Sequence, residues 1–187
     1  MAVKFSIPGL LTALVLGLII LAQPYGAEPV PAGAEDSRSK LEKQVFSETI
    51  GDFEFYTALI SDVQYRRDCV YPVAVKAADQ KEAAEWLRQG FCDELAHSLA
   101  CFYLAWDEAL QRLVVIPADG IPVLTRQDWP QTVITFRNEH QAILECLYDN
   151  CYAPGDRYCY QIEVEKYEER WKIASLTLHQ IQPGKEF

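Results

Sequence analysis

An α+β fold is predicted for this chain by two changes of pattern along it. From Lys40 to about Trp106 apolar residues recur mostly at helical spacing, whereas from Thr132 to Ile181 they alternate with period two. Helices precede strands instead of alternating with them, the order of an α+β domain rather than a parallel α/β one.

The stretch from Thr132 reads as four antiparallel strands. Cys151 placed opposite Cys159, across a turn at 152–158, sets Tyr148 against Ile162 and Cys146 against Val164 on one apolar side. A two-residue turn at Glu168 and Glu169 then brings Ile173 beside Val164 and Lys172 beside Glu165, which keeps that side apolar and the other charged. The last strand, Arg170 to His179, switches its apolar phase between Ile173 and Leu176. That switch predicts a bulge, which bends the sheet, and a concave face must be filled by something. The N-terminal helices are the only candidates.

The helices follow from local signals. Leu41, Val45, Phe46, Thr49 and Phe53 recur at helical spacing, so one or two helices run from Lys40 to about Ile60, with Gly51 as the weak point. Ser61 to Lys76 is irregular. Asp79 caps a helix over Gln80 to Gln89 that stops at Gly90, and a second starts at Asp93 and Glu94 and runs to about Trp106. Leu113 to Ile116 is a short strand, Pro117 to Gly120 a turn, and Ile121 to Leu124 another brief extended piece.

Ahead of these elements lies an uncharged run from Phe5 to Ala27, preceded by Lys4 and followed by the small-x-small triplet Ala32-Gly33-Ala34. This is the pattern of a signal peptide over 1–34, or of an uncleaved anchor; residues 35–39 are a polar linker and 40–187 one α+β domain. The rest of the chain is then extracytoplasmic, secreted or held in the cell envelope. Net charge is −10. It stays there without the leader, which holds one base, Lys4, and one acid, Glu28. So acidic a domain excludes a phosphate-reading nucleic-acid binder and favours cationic or protein partners. All six cysteines lie beyond the leader, an even number that fits disulfides in an oxidising compartment. Only Cys151 with Cys159 can be paired on local grounds, as a staple for the hairpin tip.

Three groupings bear on chemistry. Asp93, His97 and Cys101 share one helix face at the spacing of a metal or nucleophile–base site, but no fourth ligand motif accompanies them, so a cap, a half-buried His and a core or bridged Cys explain them better. Glu145 and Glu165 fall opposite each other in the register above, with Glu163 and Asp149 on the same face. Such carboxylates are an acid–base pair or a negative patch for a basic partner, and the adjacent Lys172 favours the solvated patch. The tip carries Tyr152, Asp156, Arg157 and Tyr158, residue types that serve recognition when held on an ordered loop or, equally, cover the end of the sheet. No motif calls for a cofactor or a metal.

Taken in order, the pair Lys81 to Leu87 and Asp93 to Trp106, the turn Ile116-Pro117-Ala118-Asp119-Gly120 and the meander ending Glu169-Arg170-Trp171-Lys172-Ile173 resemble the cystatin-like or nuclear-transport-factor-like fold. Within it the chain is similar to the secreted bacterial IseA family of DL-endopeptidase inhibitors. The resemblance spans about Lys40 to Gln180. It implies a cone in which N-terminal helices pack in the concave face of the sheet, and an exported, non-enzymatic protein that binds cell-wall hydrolases of the NlpC type and blocks peptidoglycan cleavage. The contact residues expected are Glu145, Glu163 and Glu165 on the sheet and Tyr152, Asp156, Arg157 and Tyr158 at the tip. Two other readings stay open. One is a small-molecule or catalytic pocket between helices and sheet, with His97, His179 and Tyr103 as candidates; the other is a structural module of an envelope complex. The partner expected is a protein, with membrane contact only through an uncleaved leader.

Overall fold

Residues 39–150 and 153–181 are described by a computed structural model. The expected leader over 1–34, linker residues 35–38, Cys151 and Tyr152 lie outside the described residues. Helix α1 (Lys40–Ser61) passes through Gly51 without a break. Ser39 opens it with a reciprocal cap: its Oγ accepts from Glu42 N at 3.2 Å, and its own N–H donates to the Glu42 carboxylate at 2.6 Å. The buried stripe Val45, Phe46, Thr49, Asp52, Phe53, Tyr56 and Leu59 follows three- and four-residue spacing. One glycine costs a helix about 1 kcal/mol, less than burying a single large side chain returns, so the helix continues.

Helix α2 (Gln80–Leu87) is capped by Asp79, whose Oδ1 accepts from Glu82 N at 2.8 Å. Helix α3 (Asp93–Tyr103) ends before the expected Trp106. Leu104, Ala105 and Trp106 fit a helical period, but pairing wins. Strand β3 (Leu104–Asp107) lies against β4 (Arg112–Val115), with Leu104 opposite Val115 and Trp106 opposite Leu113. Two short strands, β1 (Val63–Gln64) and β2 (Val73–Ala74), complete an antiparallel sheet of order β1-β2-β4-β3 inside the stretch expected to be irregular. Residues 121–124 form no strand; they lead into a 3-10 helix at Arg126–Gln131.

The main sheet is an antiparallel meander of β5 (Thr132–Asn138), β6 (Gln141–Asp149), β7 (Arg157–Tyr167) and β8 (Arg170–Gln180). Its last hairpin has the expected register, Val164 against Ile173 and Glu165 against Lys172. Ala174 is the extra residue of the expected bulge, since Glu163 pairs with Ser175.

The β6–β7 register corrects the sequence reading. Cys146 faces Tyr160, Tyr148 faces Tyr158, and Cys159 faces Leu147. Turn chemistry decides this. Asn150, with φ 58°, starts the reversal and takes Gly155 N on its Oδ1 at 2.7 Å, while Asp156 Oδ2 takes Ala153 N at 2.7 Å and Asn150 N donates to Asp156 O at 2.8 Å. The last pair before the turn is Asp149 with Arg157, so the turn does not run over 152–158. Every partner moves by an even number of positions, so each residue keeps the face expected for it.

Helices and sheet share one core. Trp171, Tyr56, Tyr160, Phe53 and Phe91 fill the space between them, all almost fully buried. The link between α2 and α3 docks on β8: Cys92 N donates to Ile173 O at 2.8 Å and Ile173 N to Gly90 O at 2.9 Å. The helix expected to stop at Gly90 ends at Leu87, and Gly90 serves the packing of the link instead. A Cβ there would stand 2.7 Å from the Asp52 Cα, so only glycine lets this link pass so close to α1.

Candidate protein-binding face

The side of the main sheet opposite its buried Trp171 and Ile173 carries most of the expected contact residues. At its Tyr167–Lys172 end it meets the α2–α3 link, where Lys172 donates to Arg88 O at 2.7 Å. Pleating alternates each strand, so Glu145 of β6 and Glu163 and Glu165 of β7 belong to one row set, with Val133 and Ile143, while Cys146, Tyr160 and Ile162 face the core. Glu145 does not oppose Glu165. Its cross-strand neighbours are Val133 and Gln161, and it is exposed. Glu163 accepts an ion pair from Arg137 at 3.0 Å. Glu165 accepts from Gln141 Nε2 at 3.2 Å and from Tyr167 OH at 3.4 Å, across from Lys172. The acid–base reading of Glu145 with Glu165 falls with the register. What remains is a patch of three carboxylates, two of them already held and Glu145 without a base directly across from it.

The hairpin tip divides between the two faces. Arg157 belongs to the outer rows, where its Nε meets Asp149 Oδ1 at 2.7 Å. Tyr158 belongs to the inner rows, half-buried opposite Tyr148 and Gln180. Asp156 is spent on the turn. Tyr152 lies outside the described residues, as does Cys151. Cys159 carries a free thiol on the outer side, buried between Leu147 and His179. Burial, and then the neighbouring Glu145 charge, pushes that thiol up from its ordinary range. Hydrogen bonds of Asn150 and Asp156 hold the described part of the tip.

His97, His179 and Tyr103 do not converge. Tyr103 is buried, donating its hydroxyl to Asp119 O at 2.8 Å; His97 is exposed on α3; His179 is exposed on the outer face of β8. Of the α3 row, His97 and Cys101 meet at 3.6 Å while Asp93 turns to Arg88 at 3.1 Å. Among the described residues no three His, Cys, Asp or Glu side chains are grouped to hold a metal ion.

Among the described residues, two surface hollows stand out. One, of about 520 Å³, lies at the end of the outer face between residues 138–141 and 165–167 and includes Glu165 and Tyr167. The other, of about 410 Å³, is an apolar groove between the second half of α1 and residues 123–126.

Sequence reasoning missed the most unusual charge in the domain. Asp52 is fully buried and ion-paired through Oδ1 to Arg170 Nη2, whose side chain is 42% exposed; its Oδ2 has no hydrogen-bond partner. Burial outweighs the guanidinium and lifts its carboxyl from 3.8 to about 7. The signal was present. Thr49, Asp52, Phe53 and Tyr56 stand at i, i+3, i+4 and i+7, which puts an acid in the core stripe of α1.

Compared with models of protein families, with curated proteins and with solved structures, the chain matches none.

Proposed function

We propose that this chain is a non-enzymatic binding protein of the extracytoplasmic envelope that docks a basic protein through the outer face of β5–β8. By the resemblance of its helix and strand motifs to the IseA family, that partner is a cell-wall DL-endopeptidase, held so that peptidoglycan cleavage stops. One observation carries the reading: Glu145, Glu163 and Glu165 share an outward face of the sheet in a chain of net charge −10, beside exposed Val133 and Leu147. Apolar contact supplies affinity at such a face, and the carboxylates supply steering and choice of partner. The filled interior supports binding at a surface over binding in a pocket.

The test is capture of extracytoplasmic proteins of the host on the immobilised chain at low and high salt, beside a Glu145→Lys, Glu163→Lys, Glu165→Lys variant. The reading expects a wall hydrolase, eluted by salt and lost by the variant. A hydrolase retained equally by both proteins would refute the role of this face.

A second reading, a structural module, is favoured by the exposed Tyr65, Val70, Tyr71 and Val75 around the β1–β2 connection. It expects a stable complex that survives high salt and leaves wall hydrolysis unchanged.

A further inference from the structure

The contact between α1 and the start of β8 is built from charges in a place where apolar groups would serve stability better. Asp52 lies in the core stripe of α1 with no accessible surface, one carboxylate oxygen on Arg170 and the other buried without a partner. Gly90 closes over its backbone from the α2–α3 link. Arg170 reaches in from outside, its guanidinium 5.6 Å from the centre of the Phe55 ring. Arg170 also pairs with Tyr167 to close the β7–β8 turn, whose residue Glu168 has a φ of 55°. The same side chain thus belongs to a turn at the surface and to a carboxylate in the core.

We propose that Asp52 and Arg170 form a proton-operated clasp between α1 and the β7–β8 turn, in which the ionised carboxylate holds the guanidinium and the neutral acid releases it. The charged groups around Asp52 are few. Glu48, one turn earlier on α1, accepts Trp171 N at 2.8 Å and opposes ionisation of Asp52. Lys172 favours ionisation but is occupied with Arg88 O at 2.7 Å. From the α2–α3 side Arg88 is turned to Asp93, and Gly90 brings only backbone. Arg170 is therefore the dominant cation, and burial opposes it.

The sign of the effect on stability is the reverse of that for an ordinary ion-paired aspartate. The folded carboxyl is raised to about 7 from 3.8, so between those values the folded state holds a proton that the unfolded state lacks. The contribution of Asp52 is fully present below about pH 4, falls as pH rises, and levels off above about pH 7. Acid thus frees Arg170 while strengthening the core, because the larger effect of protonation is to remove a buried charge.

The experiment is an NMR titration of the Asp52 carboxyl carbon in the full chain from pH 4 to 9, in parallel with the Arg170 guanidinium signal. The clasp requires an Asp52 midpoint near 7, an Arg170 signal that sharpens with the same midpoint as acid is added, and an upward shift of the Asp52 midpoint in Arg170→Gln. Urea midpoints give a second readout: they should fall from pH 5 to 8 more steeply in the native chain than in Asp52→Asn. An Asp52 midpoint near 4, or an Arg170 signal indifferent to pH, would overturn the clasp; the native-chain titration decides this even if a variant does not fold.

Discussion

A methyl group at position 90 would stand 2.7 Å from the Asp52 Cα and 2.8 Å from its Cβ, and the Asp52 backbone has no room to retreat inside a helix. Gly90→Ala is accordingly expected to cost about 1–3 kcal/mol, the usual range for overpacking, measured as a lower urea midpoint. The sequence marked Gly90 as a helix stop, whereas α2 ends earlier, at Leu87, and the contact of Gly90 with Asp52 depends on two segments meeting in space. Asp52 and Arg170 are likewise 118 residues apart. The acid in the apolar stripe was legible, and its partner was not, because nothing local distinguishes Arg170 from any other base at the start of a strand. The cysteines differ in the same way. Cys101 is exposed beside His97, whereas Cys146 is buried and its thiol is pushed up by burial. Mass-spectrometric labelling of the native chain with a thiol reagent is expected to modify Cys101 at least tenfold faster than Cys146. Equal rates would mean that the sheet opens on the labelling timescale.

At the scale of elements, signals that act within a few residues came through best. Asp79 is readable as a cap before any fold is known, and it forms; the Ser39–Glu42 capping box, opening from the expected linker, is found only in the structure. Ser39→Ala is expected to lower stability by about 1 kcal/mol and to speed amide exchange in the first turn of α1, with no change in the sheet. The phase switch placed the bulge between Ile173 and Leu176, where Ala174 is the extra residue, for the same reason: side-chain alternation is a local property. The β6–β7 register failed because Cys151 and Cys159 were taken as its fixed points, while Asn150 and Asp156, with side-chain oxygens able to take backbone N–H groups, set the turn. The faces survived because the error was even. The end of α3 failed differently. Leu104 to Trp106 suit either element, and only the approach of β4 makes them a strand.

At the scale of the molecule, the α+β order was legible because helical and alternating periods occupy separate parts of the chain. The small sheet of β1 to β4 was not, since strands two residues long carry no period at all. The candidate face was legible in part: the row containing Glu145, Glu163 and Glu165 could be read from alternation, but the ion pair of Glu163 with Arg137 and the hydrogen bond to Glu165 from Gln141 depend on register. Those contacts leave Glu145 the carboxylate with most to offer a basic partner. Between 0.1 M and 1 M salt the screening length falls from about 10 Å to about 3 Å, so contacts steered by this face should weaken steeply across that range. The central claim is tested most directly by the rate at which a purified NlpC-type endopeptidase digests peptidoglycan as this chain is titrated in at low salt, beside Glu145→Lys. The account expects digestion to slow with the native chain, to slow at least tenfold less potently with the variant, and to recover at high salt; digestion unaffected by the native chain would contradict it.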